Sequence, residues 1–232
     1  ATYPRKREVA ELRREYQVAE KLQSEGVVRV YGLHDHGSGN VAIEIEYFGR
    51  SLADLLAEGE GSPFTPERAL RLAIRLATIL SHVHENEVVH KDVVPRNVLV
   101  DPETDEVRLI DFGIASELSH ERQTATLSPR LEGSLAYISP EQTGRMNRDL
   151  DYRSDYYSLG VTLFELATGQ RPFQAASALE WVHCHITRTA LLAHRVHNPV
   201  PRALSLVLAK LMAKDPEARY QSSYGLIADL EQ

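Results

Sequence analysis

Two carboxylates and one amide flank two short apolar runs in the 232-residue chain. Asp92 and Asn97 precede the run VLV at 98–100, and Asp111 directly follows the run VRLI at 107–110. A carboxylate can orient an attacking hydroxyl and accept its proton, while oxygen ligands can hold the Mg²⁺ that bridges the phosphates of a nucleotide. These residue types at this spacing therefore indicate phosphoryl-transfer chemistry.

A β-hairpin is the element that must bring these three side chains together. The segments NVLVD at 97–101 and VRLIDFG at 107–113 have the composition of short strands, and the turn PETDE at 102–106 separates them. If the two strands pair, the three polar side chains converge on one cleft. The octapeptide HKDVVPRN at 90–97 is then polar because it faces that cleft.

Helices account for most of the sequence beyond residue 50. Apolar residues at helical spacing predict an amphipathic helix over 5–22, and the alternation in VAIEI at 41–45 predicts a strand of a β-hairpin that follows it. Thr65 is expected to cap a helix at its N-terminus, and Gly169 is expected to end another. Further helices are predicted at 51–59, 65–86, 154–169, 202–215 and 223–232.

Charge and composition exclude several classes of protein. The chain carries 26 Lys and Arg residues against 33 Asp and Glu residues, a formal net charge of -7, whereas nucleic acids and anionic membranes attract basic surfaces. The single cysteine, Cys184, excludes an internal disulfide framework, and no apolar run is as long as a membrane span. We therefore expect a cytoplasmic protein without nucleic-acid partners and without membrane insertion.

Five motifs, in this order, resemble those of eukaryotic-like serine/threonine protein kinases. They are HKDVVPRN at 90–97, DFG at 111–113, GSLAYISPE at 133–141, DYYSLGV at 155–161 and DPEARY at 215–220. The longer stretch at 132–173 more closely resembles the kinase-like domain at the head of large bacterial multi-domain sensor kinases. In that group, an ATPase module, a GAF sensor and a histidine kinase commonly follow.

The resemblance implies an α+β, protein kinase-like fold. Residues 1–48 would form a partial small N-lobe, with helix C and a β-hairpin, and residues 46–48 would form the hinge. Residues 49–232 would form a complete, mainly helical C-lobe. The sequence has no counterpart of the glycine-rich loop and strand lysine of kinases, and we expect them upstream of residue 1 in the parent protein.

The resemblance also implies a set of residues that bind ATP and Mg²⁺. Asp92 matches the catalytic base, and Asn97 and Asp111 match the magnesium ligands. The nucleotide-binding residues that it implies are Glu15 on helix C, Ile45 at the back of the adenine pocket, Glu46 and Phe48 in the hinge, and Leu99 on the pocket floor. The structural contacts that it implies are Asp155 with the catalytic-loop backbone, Glu141 with Arg219, and His90 with Phe112.

Val94 departs from the family pattern, because serine/threonine kinases usually carry a lysine two residues after the catalytic aspartate. A valine cannot balance the charge of a transferring phosphate. We hypothesise that Arg96, four residues after Asp92, supplies the missing cation in the catalytic site. The alternative is that Arg96 is an ordinary surface arginine on the loop.

Three functions remain open from the sequence. The first is a protein kinase that transfers the γ-phosphate of ATP to Ser or Thr hydroxyls in bacterial signal transduction, acting on a protein substrate or on downstream domains of the same polypeptide. The second is a pseudokinase, a regulatory or docking module of a multi-domain sensor protein that binds nucleotide weakly or not at all. Val94 and the missing glycine-rich loop and strand lysine favour it. The third is a small-molecule phosphotransferase of the same fold, which the docking-like segment GSLAYISPE disfavours.

Overall fold

The computed structural model describes residues 6–37, 40–59, 62–117, 134–146 and 148–232, without the side chains of residues 6–8, 116 and 117. The helices in these ranges are α1 (Lys6–Leu22), α2 (Leu52–Glu58), α3 (Pro66–Glu85), α4 (Arg153–Thr168), α5 (Ala178–Thr187), α6 (Ala193–Val196), α7 (Arg202–Leu211) and α8 (Ser223–Leu230). The strands are β1 (Val30–Asp35), β2 (Val41–Ile45), β3 (Arg50–Ser51), β4 (Val88–Val89), β5 (Val98–Val100), β6 (Val107–Leu109) and β7 (Ser116–Glu117). A small α1–β1–β2 unit thus precedes a mainly helical remainder, as the α+β prediction requires.

Helix α1 and the antiparallel hairpin β1–β2 form the N-terminal part. The predicted amphipathic helix is confirmed, because α1 buries three apolar residues at helical spacing, Val18, Ala19 and Leu22. In the hairpin, Leu33 lies opposite Ile43. Helix α1 packs against both strands of this hairpin.

The predicted alternation of buried and exposed residues in β2 is wrong at its last position. Val41 and Ile43 are partly buried as expected, but the Ile45 side chain is 46% exposed. Ile45 ends the strand opposite Val30, where the register of the β1–β2 pair shifts. The irregularity is on β1, between Val30 and Gly32, and Ile45 keeps the face of Ile43, because both residues line the same open cavity. The Ile45 side chain is exposed because it faces that cavity.

The predicted hairpin beside the polar residues is present as β5 and β6. Val98 lies opposite Leu109, and β3 adds a third strand on the other edge of β5. Both strands are shorter than predicted, and β6 ends before Asp111. The turn between them is fixed by Asp101, whose carboxylate accepts a hydrogen bond from the Glu103 backbone N–H at 2.8 Å.

Helix α4 lies at the centre of the C-terminal part, and nearly all of its residues are buried. A Cβ atom on Gly160 would lie only 2.7 Å from the Leu211 Cβ atom, so glycine permits the close approach of α4 to α7. Gly169 ends α4 in the left-handed conformation with φ +70°. The Thr65 hydroxyl accepts a hydrogen bond from the Arg68 backbone N–H and caps α3. Both predicted helix ends are confirmed.

The predicted helices differ from the observed ones beyond residue 170. Helix α7 ends at Leu211, whereas the prediction extends to residue 215. Pro216 begins a separate 3₁₀ turn that the Asp215 carboxylate caps through the Glu217 backbone N–H at 3.1 Å, and a proline does not continue a helix. Helices α5 and α6 are both missing from the predicted helices. None of the helices in the described ranges has the length and apolar character needed to cross a membrane.

His185 on α5 is a buried titratable side chain. Its Nδ1 atom lies 3.0 Å from the Tyr157 hydroxyl of α4, and its ring stacks on Trp181. Burial lowers the pKa of His185 to about 4, and the positive charge of Lys214 lowers it as well. The ring is therefore neutral in the folded protein at pH values where an exposed histidine is charged.

We expect the protein to lose stability as the pH falls from 7.5 to 5, partly because of His185. The unfolded chain binds a proton there near pH 6.5, whereas the folded protein does so only near pH 4, so acid favours unfolding. The contribution is about 2 kcal/mol over this range. Urea unfolding at both pH values would measure it, and the His185→Gln variant should lose about 2 kcal/mol less than the parent. Equal losses in the two proteins would contradict this assignment.

Candidate active site

Asp92 is a buried carboxylate in the loop between β4 and β5. Its Oδ2 atom accepts hydrogen bonds from Arg96 Nη2 at 2.8 Å and from Asn97 Nδ2 at 2.9 Å. Its Oδ1 atom is also buried but receives no hydrogen bond from the described residues. An unsatisfied buried oxygen is costly unless a ligand supplies a donor. Asp92 thus has one oxygen fixed by two donors and one buried oxygen without a donor, and its role as the catalytic base stays a prediction.

Asn97 is held in place by the residues that it links. Its amide nitrogen donates to the Asp92 backbone oxygen at 3.0 Å as well as to the Asp92 carboxylate. Its backbone carbonyl accepts from the Ile110 N–H at 3.0 Å, which ties the loop to the end of β6. Among the described residues no hydrogen bond to the Asn97 Oδ1 atom accompanies those of its amide nitrogen, and the role of this oxygen as a magnesium ligand stays a prediction.

Asp111 follows β6 with φ +65°, a left-handed conformation that is strained for a residue with a Cβ atom. One of its carboxylate oxygens accepts from the Gly113 backbone N–H at 3.2 Å. Strained backbone of this kind is common where a side chain must be aimed into a site. Asp111 lines a cavity of about 240 Å³ between the two parts of the chain.

The donor set of Asn97 and Asp111 fits Mg²⁺. This ion prefers oxygen ligands and is commonly held by one or two protein groups together with water and phosphate oxygens. Within the described ranges, no group of three or more His, Cys, Asp and Glu residues is placed to hold a metal ion. A magnesium ion here would therefore depend on the nucleotide for part of its coordination.

Asp155, at the start of α4, holds the backbone of the loop that carries Asp92. Its carboxylate accepts from the backbone N–H groups of His90 at 2.9 Å and Lys91 at 2.7 Å. His84 Nε2 lies 2.9 Å from the same carboxylate. Burial alone would raise the pKa of Asp155, but the hydrogen bond from His84 and the charges of His84 and His90 hold it below its usual range. The predicted contact with the loop backbone is confirmed.

The cavity beside Asp111 gathers several of the predicted nucleotide-binding residues. Glu15 of α1 and Ile45 of β2 both line it. Phe112 also lines it, and its ring packs on His90 with the ring centres 4.6 Å apart, which confirms that predicted contact. The structure therefore brings Glu15 and Ile45 to the same cleft as Asp111, and their roles in binding ATP stay predictions.

The side chains of Glu46, Phe48 and Leu99 lie elsewhere. The Glu46 carboxylate accepts from the Arg29 backbone N–H at 2.8 Å, and the Phe48 ring lies under the Arg108 guanidinium, 4.5 Å from ring centre to Cζ. Leu99 is partly buried within β5 and does not line the cavity beside Asp111. The predicted hinge would contact an adenine base through its backbone. The side-chain positions therefore do not test this contact, and the nucleotide-binding role of Glu46, Phe48 and Leu99 stays a prediction.

Arg96 connects the loop to the docking-like segment, which the structure describes from Ser134 onward. Its guanidinium donates to the Asp92 carboxylate and also to Ser134 Oγ. The Arg96 side chain is 41% exposed and Val94 is buried. A positive charge therefore lies beside Asp92 although position 94 has none, as the compensation hypothesis requires.

We expect the Arg96→Ala variant to lower the rate of phosphoryl transfer by about 10²–10³, the effect of removing one strong electrostatic contact to developing charge. The affinity for Mg²⁺-ATP should change little, because Arg96 contacts Asp92 and lies apart from the cavity that Asp111 lines. Steady-state kinetics and calorimetry would measure the two effects separately, and Arg96→Lys should recover part of the rate. An unchanged rate in Arg96→Ala would refute the hypothesis.

The docking-like segment is anchored by a buried ion pair. Arg219 Nη1 donates to Glu141 Oε1 at 2.6 Å, and Arg219 Nη2 donates to Glu141 Oε2 at 2.9 Å. Ser154 Oγ donates to the same carboxylate at 2.7 Å. This bidentate geometry confirms the predicted pair and joins the segment to α4 and to the turn before α8.

Two contacts in the site were not evident in the sequence. Gln142 Nε2 donates to the Lys91 backbone oxygen at 2.8 Å, which ties the docking-like segment to the loop of Asp92. His84 binds Asp155 from the last turn of α3. One signal could have identified His84: it stands four residues after Leu80, on the apolar face of α3. No comparable pattern marks Gln142.

The fold and the site define a protein of the kinase class, and a comparison with known families agrees. The family model for the protein kinase domain matches residues 2–226, so the chain belongs to the protein kinase family.

The particular relatives are bacterial. The chain is 33% identical over 226 residues to serine/threonine-protein kinase PrkC of Bacillus subtilis, which covers 96% of this chain and 33% of that protein. It is 34% identical over 222 residues to serine/threonine-protein kinase PknB of Mycobacterium tuberculosis, which covers 94% of this chain and 35% of that protein. The chain thus spans about one third of the length of these relatives.

Proposed function

We propose that the chain is a protein kinase domain that transfers the γ-phosphate of ATP to Ser or Thr hydroxyls of a protein in bacterial signal transduction. The single observation that carries this proposal is the Asp92 carboxylate, in which one oxygen is fixed by Arg96 and Asn97 and the other is buried without a donor. Membership of the kinase family and the names of the relatives support the same activity.

In this mechanism, Asp92 orients the acceptor hydroxyl and takes its proton. Its Oδ1 atom accepts the hydroxyl hydrogen bond, while Arg96 and Asn97 hold the Oδ2 atom and so set the direction of the carboxylate. The Arg96 guanidinium offsets negative charge that develops during transfer. Asn97 Oδ1 and the Asp111 carboxylate would hold Mg²⁺, which supplies charge neutralisation for the phosphates of ATP.

The same proposal includes the division of the chain into two lobes. Residues 1–48 would belong to the N-lobe and residues 49–232 to the C-lobe, with 46–48 as the hinge. Gly49 has φ +42°, and a Cβ atom there would lie 2.3 Å from the Val100 oxygen. The chain therefore passes β5 closely just after the proposed hinge, which supports a boundary at this point.

We further propose that the domain acts within a multi-domain sensor protein, on a separate protein substrate or on downstream domains of the same polypeptide, in the cytoplasm. The amino-acid sequence at 132–173 supports a place in a sensor protein, because it resembles the kinase-like domain of large bacterial sensor kinases. The net charge of -7 supports a protein substrate in preference to nucleic acid.

A pseudokinase is the second candidate, and Val94 is the observation that favours it. In that case the Arg96–Asp92 pair would be a structural contact that blocks the carboxylate, and the domain would act as a regulatory or docking module. The two candidates differ in whether Mg²⁺-ATP is bound well and turned over.

Calorimetry with Mg²⁺-ATP tests the proposed site. We would titrate the chain and a form extended upstream in the parent gene, each with an Asp111→Ala variant and a Glu103→Gln control. Glu103 is exposed on the turn between β5 and β6 and is not one of the proposed catalytic or nucleotide-binding residues. We expect Mg²⁺-dependent binding that Asp111→Ala loses and Glu103→Gln retains. Binding that Asp111→Ala leaves unchanged, or no binding to either form, would refute the assignment.

A further inference from the structure

Arg171, which follows the end of α4, is a loosely paired cation. Its side chain is 46% exposed, and its Nε atom lies 3.5 Å from Glu165 Oε1, whereas a close, charge-assisted hydrogen bond is about 2.7–2.9 Å long. Its guanidinium also faces the Trp181 ring, 5.8 Å from the ring centre. Since no other residue in the described ranges pairs with this side chain, most of its N–H donors are open to a ligand.

A continuous series of contacts joins Arg171 to Arg96. Arg96 donates to Ser134 Oγ, and the Ser134 backbone oxygen accepts from the Tyr137 N–H at 2.8 Å. The Tyr137 hydroxyl donates in turn to Glu165 Oε2, in the carboxylate that Arg171 faces. The two arginines therefore lie at the two ends of one hydrogen-bonded series, with Tyr137 between them.

The charges of both arginines act on the Tyr137 hydroxyl. Burial raises the pKa of Tyr137, and the Glu165 carboxylate raises it as well, whereas the positive charges of Arg171 and Arg96 both oppose the rise. Charges on partly exposed groups are screened over about 8–10 Å at moderate ionic strength. Arg96 and Arg171 thus contribute to the potential of the same small area of surface beside Asp92.

The carboxylates that face these arginines are far less exposed than the arginines themselves. The Arg96 side chain is 41% exposed against 7% for Asp92, and 46% for Arg171 compares with 15% for Glu165. Burial also raises the pKa of Glu165, although the hydrogen bond from Tyr137 opposes the rise. A molecule that approaches this surface therefore meets two cations first, even though the whole chain has a net charge of -7.

We propose that Arg96 and Arg171 form a subsite that selects protein substrates with an acidic residue close to the acceptor Ser or Thr. This inference rests on the function proposed for the cleft of Asp92. Arg96 contacts the carboxylate that would hold the acceptor hydroxyl. An extended chain spans about 3.3–3.6 Å per residue, so an Asp or Glu within about three residues of the acceptor reaches the subsite. There its carboxylate accepts hydrogen bonds from the exposed guanidinium groups.

Matched peptides test the proposal. They share one sequence around a central serine and differ at one flanking position, which holds aspartate, asparagine or lysine and is scanned over about three positions on each side. Fluorescence anisotropy without ATP measures their binding to the 232-residue chain, and kcat/KM measures transfer by the form extended upstream. At one or more positions we expect aspartate to exceed asparagine about threefold and lysine about tenfold in both quantities. Added salt should reduce the difference.

Variants of Arg171 identify the subsite, because Arg96 is also assigned to catalysis. Arg171→Gln should lower the preference for aspartate over lysine by about threefold, and Arg171→Lys, which keeps the charge, should retain most of it. Arg148→Gln is the matched control and should have the preference of the parent. Arg148 is 41% exposed and pairs with Asp215 and Glu217. Thermal unfolding of each variant verifies that it is folded.

Two results would overturn the proposal. The first is a parent chain that binds none of the peptides, binds all three equally or prefers lysine. The second is a preference for aspartate that a folded Arg171→Gln variant retains in full, which would place the subsite elsewhere. Transfer without any preference would refute this inference and leave the proposed function intact, whereas preferential binding without transfer would support the subsite and refute the function. Should Arg171→Gln fail to fold, the three peptides and their salt dependence in the parent still decide the matter.

Discussion

Replacing Asp92 with asparagine is expected to lower the rate of phosphoryl transfer by about 10²–10⁴, the usual contribution of a positioned general base. The amide oxygen of asparagine is a far weaker base than a carboxylate oxygen, so the acceptor hydroxyl is still positioned but its proton has no acceptor. Binding of Mg²⁺-ATP should be retained, because the proposed ligands, Asn97 and Asp111, are unchanged. Transfer assays and calorimetry on the same variant would measure both quantities.

Glu103→Gln is the control for this variant, because it removes the same charge from an exposed turn. Its rate should equal that of the parent. An Asp92→Asn variant that transfers phosphate at the parent rate would show that Asp92 is not the base. A variant that no longer binds Mg²⁺-ATP would show that Asp92 acts mainly by holding Asn97, to which it is hydrogen bonded.

Replacing Arg219 with methionine is expected to destabilise the protein by about 3–5 kcal/mol. Both side chains of the Arg219–Glu141 pair are almost completely buried. Removing the arginine leaves the Glu141 charge buried, with Ser154 as its remaining hydrogen-bond donor among the contacts described above. For a chain of this size, the melting temperature should fall by about 6–20 °C. Calorimetric or optical thermal unfolding would measure it.

Arg148→Met is the matched control for the buried arginine. Arg148 pairs with Asp215 and Glu217, but its side chain is 41% exposed, and exposed ion pairs contribute about 0–1 kcal/mol. Its melting temperature should therefore stay close to that of the parent. Equal effects of the two substitutions would mean that the Glu141–Arg219 pair does not anchor the docking-like segment.

The sequence predicts the local structure around the site well, because local patterns determine it. Apolar spacing locates α1, α3 and α4, and the residue types at Thr65 and Gly169 mark helix ends. The strand composition before and after the turn at 102–106 predicts the hairpin that carries the polar residues. The resemblance to kinases adds the long-range contacts of Asp155 and of Glu141 with Arg219, which no local pattern contains.

Other features depend on tertiary packing and could not be predicted in this way. Ile45 is exposed because it faces the open cavity beside Asp111, and an alternating sequence does not show whether the apolar face of a strand meets packed core or open space. The hydrogen bond from Gln142 to the Lys91 backbone joins segments 51 residues apart.

The proposed protein kinase activity is tested most directly by a transfer assay with Mg²⁺ and ATP labelled in the γ-phosphate, followed by identification of the phosphorylated amino acid. It would be run on the chain and on the form extended upstream, with a protein acceptor rich in Ser and Thr and with the Asp92→Asn variant in parallel. We expect Mg²⁺-dependent phosphoserine or phosphothreonine in at least one of the two forms and a loss of about 10²–10⁴ in the rate of the variant. Mg²⁺-ATP binding without any transfer to protein would contradict this expectation and would establish the pseudokinase function instead.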